Sequence, residues 1–398
     1  MMGFALVVAS CAACARAQAA GGARVTTLAG GRSPGVLVDG VGTSASFFQP
    51  HGVALAPDHS FALITDRGAS LVRQLDLATA RVTTVAGSGF SGSVDGVGSA
   101  AEFALPTGVA ITRDGHAALV ADTGNGAIRR IDLATRAVTT LAGSPAGAAG
   151  FVIDGVGTAA TFVAPHGVAL SPDGTFALVS DEGGHALRRL DVAARAVTTL
   201  AGGGLAAHAD GAGSLASFDT PQGVAIAADG AFALVVELGG RRVRRVELPA
   251  AGGGPAQVRT LAGTGALGGA DGAGSSARFG GPAAIALTTE DAFAIVTDRT
   301  LNRVRSVRVA DGRVRALAGS AHGAAGYADG VGAGASFFSP AGIAIGGGRA
   351  DEGTFALIVD SRNHACRHVR LEPLRPPSPP PPPAPPPSPP PPRAPSPA

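Results

Sequence analysis

Six prolines, Pro50, Pro106, Pro165, Pro221, Pro282 and Pro340, each open a short apolar run. The residue after the proline changes from copy to copy: His51, Thr107, His166, Gln222, Ala283 and Ala341. Imidazole, hydroxyl and carboxamide groups can hydrogen-bond a ligand, and the two imidazoles can also hold a metal. Two histidines alone are a poor catalytic zinc site, because such a site takes three protein ligands plus water. A second reading makes His51 and His166 polar rim residues beside bound water. Ligand contact is expected at His51, Thr107, His166 and Gln222, with metal binding by the two histidines as the alternative. No catalytic residue and no cofactor follow from the sequence. Gly202-Gly203-Gly204 and Gly252-Gly253-Gly254 have no helix after them, so they read as flexible connections and not as phosphate cradles. His364 and His368 flank Cys366 at a spacing that allows both to share one strand face.

Charged residues recur with a regularity that argues against catalysis. An acid precedes an arginine by seven residues six times: Asp66/Arg73, Asp122/Arg129, Asp181/Arg188, Glu237/Arg244, Asp298/Arg305 and Asp360/Arg367. Across a hairpin loop that spacing lets a guanidinium meet a carboxylate or satisfy loop carbonyls. Symmetric repetition marks these pairs as structural, because an active site normally breaks symmetry. An Asp-Gly-x-Gly sequence begins at Asp39, Asp95, Asp154, Asp210, Asp271 and Asp329. There an Asp side chain is expected to bond the backbone two residues on, and a single acid per loop is too few ligands for calcium.

These residues sit on a repeat. Val25–Gly30, Val82–Gly87, Val138–Gly143, Val197–Gly202, Val258–Gly263 and Val314–Gly319 are variants of VTTLAG, spaced 56 to 61 residues apart. Such a period signals supersecondary units that bury their apolar faces only against neighbours. In the second unit Thr107–Thr112, Ala118–Asp122, Ala127–Leu133 and Ala137–Ala142 read as four antiparallel strands of increasing polarity. The last unit has three strand candidates, near Gly342–Gly346, Phe355–Asp360 and Ala365–Leu371, and no closing VTTLAG. The spare copy lies at Val25–Gly30. A ring explains both facts, because the early strand can complete the last sheet and remove its open edge. The expected fold is all-β: a six-bladed β-propeller of four-stranded antiparallel blades, spanning residues 24–371.

The Pro-x-Gly-Val-Ala opening, the Pro172-Asp173-Gly174 turn and the Asp122–Arg129 stretch (D-x-x-N-x-x-I-R) resemble NHL-repeat proteins over about residues 24–371. The resemblance implies the propeller fold, and propellers of this kind include binding platforms, enzymes and RNA readers. In the peptidyl-hydroxyglycine lyases of similar fold, histidines at this strand opening on alternate blades hold zinc. That resemblance implies metal ligation by His51 and His166, but Ala283 stands on the fifth blade. The tyrosine expected near the metal is also displaced, since Tyr327 lies in a connection between blades.

Among the 398 residues all 31 basic side chains are arginine, the formal charge is +2 and aromatics make up 4%. That balance excludes a basic stripe for nucleic acid. No later segment is apolar for the ~18 residues a membrane span needs. Residues 1–19 resemble a secretory signal peptide. Its removal leaves Cys366 as the lone cysteine and rules out an internal disulfide. Residues 372–398 are proline-rich, with 16 prolines between Pro376 and Ala398. Such a segment favours an extended polyproline rod, and Ser378 and Ser388 before proline blocks resemble the extensin-like tails of hydroxyproline-rich wall glycoproteins. The sequence therefore points to a secreted, monomeric, non-enzymatic propeller at the cell surface, matrix or wall. One ring face is expected to bind a protein or glycan partner, and the tail to serve as stalk or anchor. The alternative is a metal-dependent lyase or hydrolase at the channel mouth.

Overall fold

The computed structural model describes residues 22–31, 37–144, 151–249, 254–347 and 354–371. The expected signal peptide and the proline-rich tail lie outside the described residues. Strand formation follows the apolar runs. In the first blade Pro50–Leu55, Phe61–Asp66, Leu71–Asp76 and Arg81–Ala86 form successive antiparallel strands. The second strand is buried almost throughout, as a strand covered on both faces must be. Phe176–Asp181, Phe232–Glu237 and Phe355–Asp360 repeat that pattern in their own blades.

Six such sheets close a ring. Arg24–Gly30 pairs antiparallel with Ala365–Arg370, Val25 facing Val369, and so completes the sixth blade. Sequence expectation and structure differ at the outer edges. Five of the six sheets carry a fifth strand of two residues: Gly40–Val41, Gly96–Val97, Gly155–Val156, Gly211–Ala212 and Gly330–Val331. Each belongs to an Asp-Gly-x-Gly connection that lies against the outer strand of the blade. In the fifth blade the same connection makes only a bridge between Gly272 and Val314, and that sheet keeps four strands.

The core is divided among the interfaces between blades. Phe47, Phe103, Phe162, Phe218, Phe279 and Phe337 are fully buried, one per interface, each three residues before an opening proline. Nearer the axis the inner strands touch backbone to backbone. A Cβ on Gly52 would stand 2.1 Å from the Thr107 carbonyl oxygen, and one on Gly167 2.2 Å from that of Gln222. Glycine in five of the six openings, with only the small Ala284 in the fifth blade, is therefore what lets the strands crowd round one axis.

A candidate ligand-binding site at the channel mouth

The strand openings converge on the axis. His51 and His166 meet edge to face with ring centroids 4.8 Å apart. With Val53, Val109, Val224 and Ile343 they line a narrow cavity of about 70 Å³ that opens to solvent. Burial pushes the His166 imidazole down to about 4, against the pull of Glu182 and with the charges of Arg299 and Arg67. Burial likewise holds His51 well below the usual histidine value, helped by His166, Arg299 and Arg67. Both rings are therefore neutral near pH 7, able to donate one hydrogen bond and accept another.

Thr107 and Gln222 are tied into the ring. The Thr107 hydroxyl donates to the His166 carbonyl at 2.8 Å and lies 2.6 Å from Thr123 Oγ1, which reaches the Pro165 carbonyl at 2.6 Å. Gln222 Nε2 donates to Glu182 Oε1 at 3.0 Å, while its buried Oε1 has no partner. The other Glu182 oxygen stands 4.0 Å from His166 Nε2. Thr123 and Glu182 show what the opening residues alone do not: the position directly after the hairpin acid reaches over to the next blade's mouth. That position reads Arg67, Thr123, Glu182, Leu238, Arg299 and Ser361 round the ring, so it varies as freely as the one after the proline. Sequence reading overlooked it. Arg299 follows the same geometry, its Nε donating to Ser339 Oγ at 3.0 Å just before Pro340.

The six acid–arginine pairs lie further out. Arg73 is 3.2 Å from Asp66, Arg129 2.7 Å from Asp122, Arg188 3.6 Å from Asp181, Arg244 3.0 Å from Glu237, Arg305 3.6 Å from Asp298 and Arg367 2.7 Å from Asp360. Each guanidinium also reaches the Asp-Gly-x-Gly acid of its blade, at 2.7, 2.6, 3.0, 2.7, 2.5 and 2.7 Å for Asp39, Asp95, Asp154, Asp210, Asp271 and Asp329. It lies over the blade's buried phenylalanine as well, Arg129 5.2 Å from the Phe103 ring centre. Burial pushes the inner acids up, Asp66 and Glu237 to about 7 and Asp360 to about 6, against their hydrogen bonds and the arginine charge. The outer acids Asp39, Asp95, Asp154, Asp210 and Asp329 go the other way. Partial burial would raise Asp39, but hydrogen bonds from Thr84 and the charge of Arg73 hold it below the usual carboxylate range.

Two expectations need correction. The Asp-Gly-x-Gly carboxylate does not serve its own turn: Asp39 accepts from Thr84 N at 3.0 Å and Thr84 Oγ1 at 3.0 Å on the outer strand of the first blade. Thr140 and Thr260 make the same pair of bonds to Asp95 and Asp210. His364 and His368 do not share a strand face either. His364 takes the left-handed turn position of the hairpin, with φ of 54°, and its Nδ1 accepts from Gln49 N at 3.0 Å. His368 stacks on Phe355 at 5.1 Å.

The zinc implied by the lyase resemblance does not fit the residues present. Among the described residues no three His, Cys, Asp or Glu side chains gather as a ligand set, and the buried Ala283 stands where a third histidine would be. Tyr327 lies 5.1 Å from the Arg367 guanidinium, in the connection leading to the sixth blade.

No protein-family model matches the chain. Among curated proteins, SUPPRESSOR OF QUENCHING 1, chloroplastic, of Arabidopsis thaliana is 28% identical over 233 residues, 56% of this chain and 22% of that protein. Human NHL repeat-containing protein 2 is 30% identical over 165 residues, 39% of this chain and 22% of that protein. The chain thus spans about a fifth of the length of the curated relatives it matches. Among solved structures, an auxiliary nutrient binding protein from Bacteroides thetaiotaomicron superposes with a TM-score of 0.66 at 16% identity, over 87% of this chain and 76% of that one. A gluconolactonase from Xanthomonas campestris superposes at 0.56 with 14% identity, over 88% and 90%. At those identities the likeness is one of fold. No helix among the described residues is long and apolar enough to cross a membrane.

Proposed function

We propose that the chain is a binding propeller of the NHL-repeat kind that takes its ligand or partner on the channel-mouth face. One observation carries the reading. Below the mouth the six blades repeat the same Arg, Phe and acid contacts, whereas at the mouth the side chains differ from blade to blade. Deviation from symmetry confined to one concave polar surface is what a specific site requires, because the scaffold needs none of it. The name of the nutrient-binding neighbour supports a binding role. The twelve inner acids and arginines are structural in this reading, and His51, Thr107, His166 and Gln222 are contact residues.

The rest follows from the sequence. The protein is exported and acts as a monomer at the cell surface, matrix or wall, its proline-rich tail serving as stalk, and its partner is a protein or a glycan and not a nucleic acid. A glycan array and an extracellular-matrix extract, probed in parallel with the full-length protein and a His51→Ala/His166→Ala variant, test the face assignment. Retention by the wild type that the double variant loses is the expected result. Equal retention by both places the binding surface elsewhere and overturns it.

A further inference from the structure

Three arginines gather at the mouth. Arg67 and Arg299 occupy the position after the hairpin acid in the first and fifth blades, and Arg362 lies one residue further along in the sixth. Blades five, six and one are consecutive round the ring, so the three charges stand on one side of it. None makes an ion pair with a carboxylate within 4 Å among the described residues, unlike the six buried arginines of the blade ties, each of which has two acids. Arg299 spends only Nε, on Ser339; its two terminal nitrogens take no protein acceptor among the described residues. The Arg362 guanidinium lies over the Phe338 ring, 5.2 Å from its centre. The charges feel one another: burial and the neighbouring Arg67 and Arg362 push Arg299 below the usual arginine value, with Glu182 pulling the other way.

The opposite side of the mouth is acidic. Glu182 stands on the third blade between His166 and Gln222. Asp219, beside Thr220 in the opening of the fourth blade, accepts from the Thr220 hydroxyl at 3.2 Å. Arg241, on the fourth hairpin, turns instead to the Gly239 carbonyl at 3.5 Å. Gln222 adds its unpartnered Oε1 to that side, and the neutral imidazoles of His51 and His166 meet beside it.

Resting on the channel-mouth reading, we infer that the site takes a small carboxylate that also bears hydroxyl or ammonium donors. The carboxylate lies on the Arg67, Arg299 and Arg362 side, and a donor points to Glu182 and Gln222. A guanidinium fork matches a carboxylate through two parallel hydrogen bonds, and three positive charges held together without counter-ions favour an anion in place of water. The acid across the mouth disfavours a compact multiply charged anion such as phosphate, and it rewards a ligand with donors at its far end. Hydroxy acids and amino acids share this chemistry.

Titration calorimetry of the full-length protein with D-galacturonate, glycine, D-galactose and inorganic phosphate tests the assignment and separates the sources. Binding of galacturonate, glycine or both, with galactose and phosphate at least tenfold weaker, is expected. Arg299→Gln should weaken binding at least tenfold, and Glu182→Gln should erase the preference over phosphate. Arg113→Gln, at the strand turn on the opposite face, should change nothing. A merely structural Arg299 would lower the melting temperature when replaced; the proposal requires the unliganded Arg299→Gln protein to melt at or above the wild type, because like-charge crowding is relieved. Absence of binding by every carboxylate at 10-fold molar excess and millimolar concentration, undiminished binding by Arg299→Gln, or phosphate binding as tight as carboxylate each overturns it. If matrix or glycan retention still depends on His51 and His166 in that case, the face assignment stands and only the ligand class falls.

Discussion

Replacing Arg129 with methionine isolates what holds a blade together. The guanidinium of Arg129 is 1% exposed and donates to four acceptors: Asp122 Oδ2 at 2.7 Å, Asp95 Oδ1 at 2.6 Å, the Glu102 carbonyl at 2.9 Å and the Val94 carbonyl at 3.0 Å. Methionine keeps an apolar stem over Phe103 but leaves Asp122, itself fully buried, without its countercharge. Breaking a buried pair by removing one partner costs about 3–5 kcal/mol. Asp122 keeps bonds from Ala104 N at 2.7 Å and Asn125 Nδ2 at 2.8 Å, which places the expected loss near the lower end, about 3 kcal/mol at pH 8. Asp95→Asn removes charge from a carboxylate that is 48% exposed, and solvent screening limits that loss to about 1 kcal/mol.

The loss must also depend on pH. Burial already raises Asp122, against Asn125, Ala104 and Arg129, and removing the arginine charge raises it further in the folded variant. A carboxyl raised on folding binds its proton more tightly in the native state, so stability falls as pH rises from the unfolded value to the folded one. That fall extends to higher pH in Arg129→Met than in the wild type, and the gap between the two proteins widens from pH 5 to pH 8. Urea unfolding followed by circular dichroism at both pH values measures it. Equal midpoint shifts for Arg129→Met and Asp95→Asn, or a gap that does not change with pH, would refute the view that the arginine acts by neutralising a buried acid.

Gly52→Ala sets a Cβ 2.1 Å from the Thr107 carbonyl, a backbone contact that cannot turn aside. It should destabilise by about 3 kcal/mol, whereas Ala284→Gly at the matching position of the fifth blade should lose under about 1 kcal/mol; similar urea midpoints for the two would sink the close-packing argument. His166, at about 4 in the fold and near 6.5 unfolded, contributes stability that is present above 6.5 and lost as pH falls toward 4, about 3 kcal/mol in all. His166→Gln should flatten the acid limb of the melting-temperature profile, with Glu182, Arg67, Arg299 and His51 left in place, and an unchanged limb would refute the assignment. The Cys366 thiol, buried and pushed up to about 12 by desolvation, should resist a thiol reagent at pH 8 until denaturant is added; prompt labelling of the native protein counts against its burial.

The ring was readable because two independent signals agreed: six Pro-opened strands, and a VTTLAG copy at Val25–Gly30 where the last unit lacked one. The seven-residue acid–arginine spacing was equally visible, since both ends sit on one hairpin. Its second half was not. Arg73 meets Asp39 thirty-four residues away, and the Asp-Gly-x-Gly motif looks self-contained because such sequences so often close their own turns. Two-residue strands such as Gly40–Val41 are too short to show alternation. His364 was misplaced because the matching left-handed position is marked by Gly126 in the second blade but taken by histidine in the sixth. Glu182, Arg67 and Arg299 carry no motif of their own, unlike the residues that follow each proline. The signal was there, in the change of residue type directly after each hairpin acid.

Why the mouth is free to vary follows from where the ring is held. Each outer acid joins three things: its connection, the blade's outer strand and the buried arginine. In the sixth blade Asp329 accepts from Thr27 N at 3.0 Å and from Arg367 at 2.7 Å, the first contact spanning 302 residues. In the first blade the corresponding Asp39–Thr84 contact spans 45. Closing the longer loop costs about 2 kcal/mol more in chain entropy by the logarithmic law, and the sixth blade offsets it with the same three contacts plus the pairing of Val25 with Val369. Closure is thus secured at the rim and by the inner glycines. On alternate blades Thr65 and Thr297 add hydroxyl bonds to the next blade's carbonyl, at 2.5 Å to Thr107 and 2.7 Å to Ala341, and Ser180 does the same to Gln222. All of those bonds take backbone oxygens of mouth residues, and so they do not depend on which side chain follows each proline. A side chain that carries no share of closure can be exchanged for another chemistry without opening the ring, and that is the physical ground for placing recognition there.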